Sequence, residues 1–167
     1  MVNSDHITRI RQVLKQKNID AAVITKLVNV RYLTDFSGTS GAVVISPRKT
    51  FFLTDYRYQD QARKQVSGYD IKIYRGFLDS YLCSLIKMLR SNVVGFEANA
   101  LPYGCFKKLA SSLKADLIPL DNLVEDLRLK KEKNCRSNQC QRAKRLNRGP
   151  VSRCWRIRAR SRKGHEG

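Results

Sequence analysis

Ala42-Val43-Val44-Ile45 is a run without a polar position, and it directly follows the loop Ser37-Gly38-Thr39-Ser40-Gly41. A strand of this composition has no face to give to water, so it belongs inside a sheet covered on both sides. The two glycines give the loop backbone conformations that a β-carbon forbids. No Lys-Ser/Thr pair follows the second glycine, so this is not a phosphate-binding loop. Upstream, Asn29 is a polar turn residue, and the aromatics Tyr32 and Phe36 follow it. Residues 29–41 therefore read as a loop that feeds a core strand.

Around that strand the chain alternates between helix and strand patterns. Ile7, Ile10, Val13 and Leu14 put one apolar face on a helix over residues 5–18, with Asn18 placed to end it. Ala21-Ala22-Val23-Ile24 is a second apolar strand. Ser46-Pro47-Arg48-Lys49 forms a turn, and Thr50-Phe51-Phe52-Leu53-Thr54 completes a hairpin with the strand before it. Asp55-Tyr56-Arg57-Tyr58 opens a helix that Ser67-Gly68 stops, and residues 69–74 return as a strand. Leu78, Leu82, Leu85, Ile86 and Leu89 stripe a helix over residues 78–90. Val93 to Phe96 is another short strand. Pro102 suits the first turn of a helix whose inner face carries Phe106, Leu109, Ala110 and Leu113. Residues 115–120 are the last strand, and a helix leads outward from Val124 towards Lys131. The sum predicts an α/β domain, a mixed sheet of about six strands flanked by helices.

Charge divides the chain into two parts. Of the net +19, residues 1–133 supply +9, from 22 Lys and Arg against 13 Asp and Glu. Residues 134–167 supply the other +10, from 11 against 1. A basic segment of that kind suits nucleic acid or an acidic partner, or reads as disorder. It has a single aromatic, Trp155, and no recognisable nucleic-acid-binding motif accompanies it. Cys135, Cys140 and Cys154 fall short of a tetrahedral zinc set unless His165 joins them. The five cysteines are an odd number and do not describe a secreted disulfide framework. No apolar run approaches the roughly 18 residues that span a bilayer, and Met1 to Arg11 lacks the apolar segment of a signal peptide. A cytoplasmic location without membrane association is expected.

The order of motifs resembles the N-terminal domain of the creatinase, prolidase and proline-specific aminopeptidase family. A helix is followed by Asp20-Ala21-Ala22-Val23-Ile24. Next come Asn29-Val30-Arg31-Tyr32-Leu33-Thr34-Asp35-Phe36-Ser37-Gly38 and a hairpin ending in Leu53-Thr54-Asp55-Tyr56-Arg57-Tyr58. Val94-Gly95-Phe96-Glu97 and Asp126-Leu127-Arg128-Leu129-Lys130-Lys131 complete the series, the last resembling the hinge between the family's two domains. Asp35 is a departure, because the family usually has glycine there. The resemblance covers roughly residues 5–133.

What the resemblance implies is half of an enzyme. The family's N-terminal domain is a six-stranded mixed sheet without catalytic residues. It helps the oligomer, often a homodimer, to restrict its active site to short proline-containing peptides. A separate pita-bread domain holds two divalent metals, such as Mn, Co or Zn, through two Asp, one His and two Glu. By resemblance the substrate-facing candidates here are Tyr32, Asp35, Phe36, Arg57 and Tyr58, with no catalytic residue and no metal ligand. Read as residues alone, Tyr32 and Phe36 are packing aromatics, Arg57 pairs with Asp55, and Asp121, Glu125 and Asp126 are a solvated helix start.

After Lys131 the family continues into an acidic amphipathic helix. This chain reads Glu132-Lys133-Asn134-Cys135-Arg136-Ser137-Asn138-Gln139-Cys140-Gln141-Arg142 instead. The expectation is a frameshift near residue 134, an out-of-frame and disordered basic tail over 134–167, and loss of the catalytic domain. The competing expectation is a small interaction module whose basic tail binds nucleic acid or an acidic partner.

Overall fold

The computed structural model describes residues 3–129. The expectations for residues 134–167, including the tail and its zinc reading, lie outside the described residues. In chain order the elements are α1 Asn3–Gln16, β1 Ala21–Ile24, α2 Leu27–Thr34, β2 Ala42–Ile45 and β3 Thr50–Asp55. A 3-10 turn, Tyr56–Tyr58, leads into α3 Gln59–Gln65, β4 Asp70–Tyr74, α4 Leu78–Leu89 and β5 Val93–Phe96. The series ends with α5 Tyr103–Ser112, β6 Asp116–Pro119 and α6 Glu125–Leu129.

One six-stranded mixed sheet runs in the order β4-β3-β2-β1-β5-β6. The β2–β3 pair is the expected antiparallel hairpin, with Val43 opposite Phe52. β1 pairs antiparallel with β2 and parallel with β5, while β3–β4 and β5–β6 are also parallel. Five strands therefore point one way and β2 alone points back. The C-terminal ends of β1, β3, β4, β5 and β6 share one end of the sheet with the start of β2.

Strands apolar on both faces need cover on both, and both are covered. Ala22, Ile24, Val43, Ile45 and Phe52 face a core built with α1, α2 and α3 through Ile10, Leu14, Leu33 and Ala62. Val23, Ala42, Val44, Phe51 and Leu53 face the opposite core, with Leu82, Ile86 and Leu109 from α4 and α5. Asn18 does end α1, at φ 53° in the left-handed region, and Ile19 N–H reaches back to Leu14 O at 2.9 Å.

Three expectations need correction. Residues 29–34, read as the start of a loop, belong to the helix α2 Leu27–Thr34. Val28, Val30 and Thr34 are β-branched and weak helix formers, and Lys26 at the N-cap makes no side-chain capping bond. Local sequence thus gives no start signal, and the turn into α2 is held from β5, as described below. Ala110 points outward rather than into the core, because Leu109 and Leu113 already fill the buried side of α5. Glu125 and Asp126 do open α6, but Glu125 is half-buried rather than fully solvated, since Lys26 and Asn29 both bond it.

Candidate functional site

The shared strand end gathers the loop before β2, the 3-10 turn after β3 and the segment after β5. Phe36 is fully buried there, with its ring 4.8 Å from Phe52 and 5.8 Å, edge-on, from Tyr58. Such tilted and T-shaped contacts let a ring's positive edge meet its neighbour's negative face. Gly38 is required by this packing, because a Cβ there would stand 2.6 Å from Phe36 Cε1 and 3.1 Å from Tyr58 Cδ1.

Hydroxyls pin the loop along its length. Ser37 meets Gln61 and Gln65 of α3. Thr39 Oγ1 bonds the Tyr58 hydroxyl at 2.7 Å, and Ser40 Oγ bonds the Tyr74 hydroxyl at 2.9 Å. Thr54 Oγ1 donates to Ser40 O at 2.6 Å. Beside the loop, Asp55 caps the 3-10 turn by accepting from Arg57 N at 2.9 Å and from Arg57 Nη2 at 3.0 Å. Those bonds hold the Asp55 carboxyl below its ordinary value and raise Arg57 in turn. Arg57 also lies 5.8 Å from the Tyr58 ring centroid.

A cleft of about 340 Å³ opens between Thr39, Ser40 and Gly41 on one side and Phe77, Leu101 and Pro102 on the other. Burial, then the neighbouring Asp79 and Cys83, pushes the half-buried Cys105 thiol in its wall up to about 11. At neutral pH this sulfur is a protonated thiol and not a nucleophile.

The structure brings three of the five candidates together, Phe36, Arg57 and Tyr58. Asp35 stands at the far end of α2, in the left-handed conformation at φ 60°, where its charge adds to the burial that raises Tyr69. Tyr32 packs on the His6 ring at 4.7 Å, and its hydroxyl reaches Leu127 O at 3.4 Å.

One residue beside this end carries more than sequence reasoning assigned to it. Glu97, just past β5, is buried at 6% exposure. Its Oε2 accepts from Thr25 N at 2.8 Å and Lys26 N at 2.7 Å, and its Oε1 accepts from Asn29 Nδ2 at 2.6 Å. The carboxylate thus ties the β1–α2 turn to the end of β5. An acidic residue closing an apolar strand was the available signal, but its three partners lie 68 to 72 positions away. Among the described residues no three His, Cys, Asp or Glu side chains come together to hold a metal ion.

Fold and site together define a mixed-sheet α/β domain that presents a hydroxyl- and aromatic-rich loop cluster at one strand end. The chain belongs to the creatinase/prolidase N-terminal domain family, whose model matches residues 6–130. It is 36% identical over 124 residues to an uncharacterized peptidase, YqhT, of Bacillus subtilis. That match covers 74% of this chain and 35% of the relative, so the chain spans about a third of that protein's length. The solved Xaa-Pro dipeptidase from Bacillus anthracis superposes with a TM-score of 0.75 at 30% identity, over 90% of this chain and 45% of that one. The N-terminal domain of the cytoplasmic peptidase PepQ from Mycobacterium tuberculosis gives 0.69 at 29% identity, over 74% of this chain and 98% of that domain. No helix of the described residues is long and apolar enough to cross a membrane.

Proposed function

We propose that this domain is the non-catalytic N-terminal part of an Xaa-Pro peptidase of the cytoplasm. In that role it assists oligomerisation and narrows access to an active site supplied by a metal-binding catalytic domain, as homodimer or larger assembly. The supporting observation is the match to the Bacillus anthracis Xaa-Pro dipeptidase, which takes in 90% of this chain and 45% of that enzyme. Above the buried Phe36 ring, Thr39 and Arg57 are exposed and Tyr58 half-buried, and such hydroxyl, guanidinium and aromatic groups bind and orient a short peptide rather than cleave it. Exposed apolar side chains follow four strands at the same end: Leu27 and Val28 after β1, Tyr56 after β3, Phe77 after β4 and Tyr103 after β5. Apolar surface gathered in this way suits a covering domain or subunit.

Two divalent ions, Mn, Co or Zn, would polarise the scissile carbonyl and activate water in that catalytic domain. The described residues do not fit them as ligands, because no three His, Cys, Asp or Glu side chains among them come together. The purified chain, assayed on Xaa-Pro dipeptides and proline-containing tripeptides with each metal in turn, is expected to show no turnover. Metal-dependent turnover that copurifies with the chain overturns the non-catalytic reading. The frameshift proposal for residues 134–167 is tested by translating the downstream DNA in the other two frames. An Asp-, His- and Glu-bearing peptidase domain in either frame supports it, and none in both ends it. Salt-sensitive retention of nucleic acid by the full chain would favour the basic-module reading instead.

A further inference from the structure

Lys26, Asn29 and Tyr32 recur at every third position where α2 begins, so they share one face. All three reach α6. Lys26 Nζ lies 2.8 Å and Asn29 Nδ2 2.9 Å from Glu125 Oε1, and the Tyr32 hydroxyl meets Leu127 O at 3.4 Å. In return Arg128 Nη1 donates to Asn29 Oδ1 at 3.2 Å. The second amide hydrogen of Asn29 goes to Glu97 Oε1 at 2.6 Å. Asn29 is fully buried, and both its amide hydrogens and its carbonyl oxygen are engaged.

Apolar contact holds the same segment down, through Leu123, Val124 and Leu127. Such contact is not directional. It keeps the segment on the domain without fixing its rotation or register. A buried amide does fix them, because a slipped register leaves its donors and acceptor unpaired in the interior. The partners also differ on each side of Asn29, carboxylate to its nitrogen and guanidinium to its oxygen, so only one orientation of α6 satisfies all of them.

We propose that the Lys26–Asn29–Tyr32 face is a cradle that sets the register and direction of α6, with Asn29 as its positioning residue. α6 ends at Leu129, the last residue that the structure describes. This device belongs to the domain itself and stands whether or not the peptidase reading does.

Hydrogen exchange on the full chain tests it, read at the α6 amides of Asp126 and Arg128, which bond Asn122 O and Val124 O. In Asn29→Leu and in Arg128→Met both amides should exchange at least ~10-fold faster, with the β1 and β5 amides unchanged in Arg128→Met. Asn29→Leu also strands Glu97 and loosens the neighbouring strands. Arg128→Met keeps the Asn29–Glu97 bond and so separates positioning from stability. NMR residual dipolar couplings should report a changed α6 orientation in Arg128→Met against an unchanged sheet. Wild-type α6 exchange and couplings in Arg128→Met overturn the proposal. So does equal acceleration across the whole domain in that variant, because that would mark Arg128 as a general stabiliser.

Discussion

Asn29 Nδ2 donates to Glu97 Oε1 across 2.6 Å, joining two buried side chains that lie 68 positions apart in the chain. The other Glu97 oxygen accepts two backbone N–H groups at the entrance to α2. By accepting from the N-cap amide of Lys26 and from Thr25 before it, this carboxylate holds the turn into α2 that no local side chain caps, and it arrives from just past β5.

Glu97→Gln therefore tests the corner. Gln keeps the shape and one acceptor oxygen. If that oxygen serves the backbone of Thr25 and Lys26, its NH₂ faces the NH₂ of Asn29, donor against donor. A buried donor left unmatched costs about 1–3 kcal/mol. We expect Glu97→Gln to lower unfolding stability by about 2 kcal/mol in urea, with an unchanged slope.

Gly95→Ala tests the packing beneath that corner. A Cβ at residue 95 would collide with the Leu120 side chain, standing 2.8 Å from Cγ and closer still to Cδ1. Leu120 N–H bonds Phe96 O at 2.7 Å, so its backbone has little room to retreat. Overpacking of this kind costs about 1–3 kcal/mol. A matching drop in stability, recovered by the double variant Gly95→Ala/Leu120→Ala relative to Leu120→Ala, is the expected result.

Much of the fold was legible because the informative signals were local. The all-apolar Ala42–Ile45 strand, the hairpin turn at Ser46–Lys49 and the stripe of Leu82, Leu85 and Ile86 each carry their reason within a few residues. The start of α2 did not, because its turn is held by Glu97. The site was legible in part for the same reason. Phe36, Arg57 and Tyr58 meet because the hairpin returns the chain to its own loop, whereas Tyr32 and Asp35 are placed by a helix the sequence did not announce. Strand order and the α2–α6 contact depend on pairings between distant segments, which periodicity cannot reveal.

Asp55 and Arg57 supply a pH prediction. The Arg57 bonds depress the Asp55 carboxyl below its ordinary 3.8, so ionised Asp55 favours the folded turn. For a depressed acid, this contribution is complete above the ordinary value and is lost as pH falls through the depressed one. An NMR titration should place the Asp55 midpoint below 3.8. In Arg57→Ala the midpoint should move up towards that value, and a midpoint unmoved by the substitution would mean that Arg57 does not hold the carboxylate.

Asp35 gives the prediction with the opposite sign. It closes α2 at φ 60° and ψ 7°, and its N–H bonds Arg31 O at 2.8 Å. This left-handed cap is the position that glycine fills without strain, and glycine is what the resemblance places there. An L-residue with a β-carbon meets its own backbone in this conformation, though Asp tolerates it better than most. Asp35 is exposed, so its side chain adds little packing to offset that strain. Glycine loses more entropy on folding, which returns part of the gain. Asp35→Gly should therefore stabilise the domain by roughly 0.5–1 kcal/mol, read as a higher urea midpoint. Asp35→Ala should destabilise it slightly, because alanine keeps the β-carbon and tolerates the left-handed region less well than Asp. If both variants move stability in the same direction, backbone strain is not what governs this cap.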